Sequence, residues 1–207
     1  MPPHPDLVWS DEGAPSATAF GDVYFSKAGG LAESEAVFLA GTGLPQAWAG
    51  RDQFHVCELG FGSGVNVLAL WRAWRASRSP HAILHVSTIE AFPLAQLDAA
   101  RALAAFPEVA DLAGKLLARW PVRAAGPQRL WFPEDGFALT VHTGEAKAAL
   151  AGMTGQFDAW FLDGFSPARN PAMWSEALFA RMAALSAPGA RAAVIWASAP
   201  FGAQHFR

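Results

Sequence analysis

Three carboxylates and three glycines carry most of the chemistry this sequence offers. The run Phe54-His55-Val56-Cys57-Glu58-Leu59-Gly60-Phe61-Gly62-Ser63-Gly64 reads as a short strand, an acid and a glycine-rich turn opening a helix. Glycines at alternate positions let the backbone turn sharply and approach a ligand closely, and the amides of the following helix point at whatever is bound. Such a turn cradles a nucleotide; the plain alternative is a tight strand-to-helix turn with no ligand. A dinucleotide fingerprint needs G-x-G-x-x-G, and Val65 stands where the third glycine would be, so a nicotinamide dinucleotide is not expected. Two further acids close apolar runs: Glu90 ends the run from Ile83, and Asp163 follows Phe157 to Leu162. Open α/β sheets bind ligands outside the carboxyl ends of their strands, which puts Glu58, Glu90 and Asp163 on one rim, with Glu90 placed to accept from two ribose hydroxyls. A single strand can end in an acid by chance; three at these places are harder to explain that way.

The elements that position these groups follow from periodicity and breakers. A helix is predicted from Val65 to about Ser77, with Arg72, Arg75 and Arg78 recurring every third residue as either a local basic patch or a solvated face. Residues 1–20 read as a loosely ordered lead-in with a short strand at Leu7-Val8-Trp9, followed by Asp22-Val23-Tyr24-Phe25-Ser26 and a helix from about Leu31 to Leu39. This places an N-terminal extension or lid over residues 1–50 and the main body over 51–207. Pro93 is expected to open a helix through Ala105, Pro107 to break it, and Glu108 to Trp120 to form another. Leu130-Trp131-Phe132 and the strand from Phe137 to His142 read as a hairpin across Pro133-Glu134-Asp135-Gly136, and that strand runs into Gly144-Glu145. Trp160 and Phe161 read as core, and Arg191 to Ala197 as a fifth strand of the body. The fold class is α/β, Rossmann-like: a mostly parallel sheet flanked by helices.

Composition narrows the setting. With 207 residues, 52% of them hydrophobic, the chain suits one α/β domain with an ample core rather than a disordered protein. Its apolar stretches are broken well short of the roughly 20 residues that span a bilayer, and Met1-Pro2-Pro3-His4-Pro5-Asp6 does not read as a signal peptide, so a cytoplasmic location is expected. Cys57 is the only cysteine, which excludes an intrachain disulfide and a cysteine-rich zinc site. The six histidines are scattered; His81 and His85 flank or lie in a strand, read as structural, and leave no metal expected. A net charge of -3 gives no global basic footprint, which weakens the case for extended nucleic-acid contact while leaving room for an RNA substrate.

The pattern acid-x-G-x-G-x-G at Glu58 to Gly64 resembles the first motif of class I S-adenosylmethionine-dependent methyltransferases. Longer runs are more specific: Asp22 to Ser26 with Gly30-Leu31-Ala32-Glu33, Glu58 to Asn66, Glu90-Ala91-Phe92-Pro93-Leu94, and Asp158 to Trp174 containing Asp163-Gly164-Phe165-Ser166-Pro167-Ala168-Arg169-Asn170-Pro171. Over roughly residues 20–199 they resemble the methyltransferase domain of the MnmC family, the bifunctional enzymes of tRNA 5-methylaminomethyl-2-thiouridine biosynthesis. The resemblance implies S-adenosylmethionine as cofactor, with Glu58 facing its amino-acid end and Gly60, Phe61, Gly62, Gly64, Asn66, Glu90, Ala91, Gly144 and Glu145 forming the rest of its site. It implies a tRNA substrate, methylated on the primary amine of 5-aminomethyl-2-thiouridine at the wobble position. Asp163 is then the catalytic group that accepts or relays a proton. Gly164, Phe165 and Pro167 shape a slot for the uracil ring, Arg169 and Asn170 lie at its polar edge or the RNA backbone, and Tyr24 joins the substrate side. The structural alternative for the proline-rich run is a strand-to-helix loop ending before Met173.

Departures from the family pattern set further expectations. Ser63 replaces a usual threonine and Glu145 a usual aspartate, both compatible with adenine contacts. Family members continue past the position of Ala197 through a helix and a final strand pair, and many then carry an FAD oxidoreductase domain. The fold is therefore expected to lack the usual C-terminal strands and to leave Ala192 to Trp196 as an uncovered apolar edge, a hazard for aggregation. The chain is expected to be a fragment, a truncated product, or a protein that self-associates or takes a partner along that edge, and to be unable to remove the carboxymethyl group in the preceding step. Two other functions use the same features: a small-molecule N-methyltransferase or aminopropyltransferase-like enzyme on the same cradle, and a truncated, inactive paralogue.

Overall fold

The computed structural model describes residues 5, 7–9, 15–17, 22–23, 30–163 and 170–195. Three short strands, β1 (Leu7–Trp9), β2 (Pro15–Ala17) and β3 (Asp22–Val23), form a small antiparallel sheet in the order β1-β2-β3. A continuous helical segment follows, α1 (Gly30–Ser34), a π-helical turn (Glu35–Leu39) and α2 (Ala40–Thr42), which Gly43 ends in a left-handed conformation at φ 74°. Then come β4 (Gln53–Leu59), α3 (Val65–Ser77), β5 (Ile83–Glu90), α4 (Gln96–Leu103), α5 (Ala110–Leu117), β6 (Gly126–Phe132), β7 (Phe137–Thr143), α6 (Ala146–Gly152), β8 (Phe157–Asp163), α7 (Glu176–Ala184) and β9 (Ser186–Ile195).

The six later strands form one sheet in the order β6-β7-β5-β4-β8-β9. Every neighbouring pair is parallel except β6 with β7, the expected hairpin. Side chains of a strand alternate between faces. Val56, Leu84, Val86, Leu139, Val141, Phe161 and Ala193 face α1 to α2, α3 and α5, forming the larger core with Trp71, Trp74, Leu112 and Leu116. Leu59, Ile89, Trp160, Leu162 and Val194 face the other way, onto Leu150 of α6 and Leu178 and Met182 of α7. Strand β8, covered on both faces, is apolar without interruption from Ala159 to Leu162.

Several elements differ from expectation. The segment read as an N-terminal extension contributes Leu31, Phe38, Leu39, Leu44 and Trp48 to the same core as the strands, and Phe38 stacks on Phe161 at 4.9 Å. The segment read as a lead-in includes the second strand β2, and the Arg101 guanidinium of α4 lies 4.0 Å above the Trp9 ring of β1. Helix α4 begins at Gln96, not Pro93, because Ala95 is extended and the Leu94 carbonyl accepts the Trp120 indole N–H. The second predicted helix starts as a 3-10 turn at Pro107–Val109 and ends at Leu117. Strand β9 begins at Ser186, with a register irregularity opposite Phe157–Ala159 that absorbs Pro188 and Gly189. Among the described residues β9 borders the sheet, while Ala193 and Val194 are buried by the layers on its two faces. The arginine row on α3 is engaged: Arg72 pairs with Glu35, Arg75 with Asp111 at 2.7 Å, and Arg78 donates to the carbonyls of Pro80 and Glu134. Among the described residues no helix is long and apolar enough to cross a membrane.

Candidate active site at the ends of the parallel strands

The glycine turn joins β4 to α3 with Gly60, Gly62 and Gly64 all at positive φ, 102°, 52° and 84°. Each conformation is one that only glycine adopts without strain. Gly60 has a second constraint: a Cβ there would lie 1.8 Å from the carbonyl oxygen of Asp163, so the end of β8 sits directly against the turn. The two segments that the sequence marked most strongly therefore touch through backbone, and the absence of a side chain at position 60 permits it.

Sheet register brings the carboxylates together. Glu58 pairs with Thr88 on β5 and Phe161 on β8, and alternation puts Glu58, Thr88, Glu90, Phe161 and Asp163 on one face, the face covered by α3. Glu58 is 1% exposed and accepts from the Thr88 hydroxyl at 2.6 Å. Burial pushes its carboxyl up to about 8; the Thr88 hydrogen bond opposes that shift, and the neighbouring Asp163 and Glu90 charges add to it. At neutral pH Glu58 is largely protonated, so it lies beneath the turn as a neutral acid.

Glu90 is occupied differently from the bare expectation. Its Oε2 accepts the Gly62 N–H at 2.9 Å and its Oε1 the Phe92 N–H at 2.8 Å, which ties the glycine turn to the segment following β5. Burial raises its pKa, opposed by these backbone hydrogen bonds. The Ala91 and Phe61 amides also hydrogen-bond this carboxylate, so it is bound by the backbone on both sides of the turn. Asp163, half-buried at the end of β8, accepts from the Asn66 side-chain amide at 2.6 Å. Asn66 sits in the first turn of α3, 4% exposed, and its carbonyl oxygen meets the Ser34 hydroxyl of α1.

The remaining cradle residues surround this cluster. Phe61 is buried and stacks on Trp120 at 5.1 Å, walling one side of the turn. Ala91 and Phe92 are half-buried after β5, Gly144 donates its N–H to the Glu90 carbonyl at 2.9 Å, and Glu145 is exposed at the start of α6. Asn170 is half-buried before the 3-10 turn Pro171–Trp174. Tyr24, Gly164, Phe165, Pro167 and Arg169 lie outside the described residues. Three buried side-chain oxygens around the cradle, Glu58 Oε1, Ser63 Oγ and Thr143 Oγ1, have no hydrogen-bond partner among the described residues. Buried polar atoms are seldom left so, and a polar ligand resting on the turn is one way to satisfy them. The site thus combines unmet polarity, close backbone approach and carboxylates, which fits a cofactor with a ribose and an ammonium group. Sequence reasoning missed Ser34, Thr88 and Thr143; their signal was a hydroxyl at a core-facing position of an otherwise apolar helix or strand.

Comparison with known proteins agrees with this geometry. A family model described as an S-adenosyl-L-methionine-dependent methyltransferase matches residues 107–202. A tRNA 5-methylaminomethyl-2-thiouridine biosynthesis bifunctional protein MnmC from Maricaulis maris is 56% identical over 186 residues, 90% of this chain and 32% of that protein. The chain belongs to the MnmC family, in its methyltransferase domain. The MnmC of Caulobacter sp. strain K31 is 52% identical, again over 90% of this chain and 32% of the relative. The chain spans about a third of the length of these curated MnmC relatives. In fold it is similar to the crystal structure of MNMC2 from Aquifex aeolicus, with a TM-score of 0.69 at 20% identity over 92% of this chain and 59% of that one. The MnmC family cofactor is S-adenosylmethionine, and the turn from Gly60 to Gly64 with Glu90 is the part of this chain suited to it.

Proposed function

We propose that this chain methylates the primary amine of 5-aminomethyl-2-thiouridine at the wobble position of tRNA. The observation carrying the reading is the Asp163 carboxylate, held by Asn66 on a residue whose backbone abuts Gly60 of the glycine turn. Support for the substrate comes from the relatives, named for 5-methylaminomethyl-2-thiouridine biosynthesis and sharing up to 56% of their aligned residues with this chain. Bound S-adenosylmethionine supplies a methyl group on a positively charged sulfur.

The chain's own residues then have separable tasks. Glu90, clasping the Gly62 amide, orients the nucleoside end of the cofactor, and Ser63 and Thr143 present hydroxyls to it. Glu58 underlies the turn and faces the amino-acid end of the cofactor, whose ammonium favours its charged form against the burial that opposes it. An alkylamine resembles a lysine side chain, with a pKa near 10.4, so it arrives mainly as ammonium and must lose a proton before it can attack. Asp163 attracts that ammonium, takes its proton and leaves the nitrogen lone pair aimed at the methyl; most of the acceleration comes from this alignment. Asn170, Tyr24, Phe165, Pro167 and Arg169 are assigned to the substrate's side by the family resemblance.

The test is methyl transfer to tRNA bearing 5-aminomethyl-2-thiouridine, followed by nucleoside analysis. Wild-type protein is expected to form 5-methylaminomethyl-2-thiouridine and Asp163→Ala to form almost none while still binding S-adenosylmethionine. A protein that binds the cofactor but leaves this nucleoside unmodified, or that methylates free amines instead, overturns the tRNA reading. One that folds without binding the cofactor is an inactive paralogue.

A further inference from the structure

We infer that Ser34, on the helix preceding the sheet, is a positioning residue for Asp163 that acts through the Asn66 amide. The inference rests on the proposed role of Asp163 as proton acceptor.

Ser34 is 2% exposed and its hydroxyl already has a local acceptor, the Gly30 carbonyl at 2.8 Å, as helix serines commonly do. It also meets the carbonyl oxygen of Asn66, whose nitrogen donates to Asp163 Oδ2 at 2.6 Å. The polarity of this row is dictated from its far end. An ionised carboxylate only accepts, so the amide must turn its NH2 toward Asp163 and its carbonyl away, toward a donor. The Ser34 hydroxyl proton is that donor. Without it the amide still turns its NH2 to the carboxylate, but its own carbonyl oxygen is left buried with no Ser34 donor, and the amide is held less firmly.

The Gly30 carbonyl completes the device. When Asp163 takes a proton from the substrate, an N–H bond breaks, an O–H bond forms on Asp163 and the electron pair stays on nitrogen. The row can then invert: Asp163 O–H donates to Asn66 Oδ1, Asn66 N–H donates to Ser34 Oγ, and Ser34 O–H donates to the Gly30 carbonyl. In the inverted row each of the three links, Asp163 to Asn66, Asn66 to Ser34 and Ser34 to Gly30, pairs one donor with one acceptor. A hydroxyl with two acceptors makes the reversal possible, and only a side chain that both donates and accepts fits position 34. The π-helical turn immediately after Ser34 departs from regular α-helix at this point.

Single-turnover methylation of aminomethylated tRNA by Ser34→Ala, Asp163→Asn and the double variant tests the coupling, with S-adenosylmethionine affinity measured alongside. Ser34→Ala is expected to slow transfer about tenfold, the size of one lost buried hydrogen bond, with cofactor affinity changed by less than about twofold. Added to Asp163→Asn, it is expected to cost less than about twofold more, because its route of action is already cut. An equal loss in both backgrounds overturns the inference. A readout independent of turnover is the Asn66 side-chain amide signal in NMR spectra of the cofactor-free protein, expected to shift in both Ser34→Ala and Asp163→Asn. Unchanged Asn66 signals in folded Ser34→Ala overturn the inference even if tRNA proves to be the wrong substrate. Ser34→Cys, which keeps the volume and weakens the donor, replaces the alanine variant if that one fails to fold.

Discussion

Strand β8 carries an aspartate near each end, and the two are held in opposite ways. Near its start, Asp158 accepts the Arg51 guanidinium on Oδ1 at 2.9 Å and the His55 backbone N–H on Oδ2 at 2.9 Å. Next to it, His55 stacks on His85 at 4.6 Å and Arg129 lies 3.2 Å from His85 Nδ1, where a neutral ring nitrogen accepts. There the carboxylate has both oxygens engaged, one by a guanidinium and one by a backbone amide. At the finish, Asp163 is held by a neutral amide, Glu58 is buried as an acid, and Ser63 and Thr143 have unmet oxygens. The starting ends close their polar groups within the protein, whereas three buried side-chain oxygens at the finishing ends have no hydrogen-bond partner among the described residues.

Breaking that contrast is expected to have its largest effect at the glycines. Gly60→Ala places a Cβ 1.8 Å from the Asp163 carbonyl at φ 102°, so β8 must move; a loss of about 3 kcal/mol or more and of cofactor binding is expected from urea unfolding and calorimetry. Gly50→Ala, at φ 73° before β4 with nothing within 4 Å, is expected to cost only about 1 kcal/mol and leave binding intact. Should the two variants lose binding alike, close approach at Gly60 is not what shapes the site. The aspartates come next: Asp163→Ala is expected to lower kcat by roughly 10²- to 10⁴-fold, whereas Asp158→Ala is expected to leave kcat near wild type and to lower stability. Comparable losses of kcat would erase the distinction between the ends.

The titration of the two ends runs in opposite directions. Glu58 has a folded-state pKa of about 8 against 4.5 for the free group, so between those values the folded chain holds a proton that the unfolded chain has lost. Its contribution therefore falls as pH rises through that window, by about 1.4 kcal/mol per pH unit at most. Glu58→Gln should remove this slope, and parallel stability profiles for variant and wild type from pH 5 to 8 would show that Glu58 is not held protonated. His85 gives the smallest effect. Burial, with help from the His55 and Arg129 charges, lowers its pKa to about 4 from 6.5, so its contribution is complete above 6.5 and is lost as pH falls toward 4. His85→Gln should flatten part of that acid-side loss without touching methyl transfer.

Much of this contrast was legible in the sequence. Helix α3 and the body strands β4, β5, β7 and β8 follow directly from apolar runs, a glycine turn and terminal acids. What escaped were features whose partners lie far away in the sequence. Pro15-Ser16-Ala17 has little strand propensity and is a strand through pairing with β1 and β3. Pro93 is a good helix opener, yet the indole of Trp120 on the Leu94 carbonyl keeps that segment out of the helix. The arginines of α3 have the spacing of a solvated face, and only packing against Glu35, Asp111 and the Glu134 carbonyl shows them as ties between elements. The polar partners of the acids were hidden for the same reason: Thr88 meets Glu58 through strand register, and Ser34 meets Asn66 through helix packing.

The sequence by itself determined where a ligand could approach backbone, because Gly60, Gly62 and Gly64 occupy conformations that side chains resist and their positions in the chain are explicit. It also determined that acids end the right strands. Only the tertiary structure decided what each acid is. Desolvation depends on all the atoms around a group rather than on its neighbours in sequence, so Glu58 became a buried neutral acid, Glu90 the clasp on the turn and Asp163 the carboxylate held by Asn66.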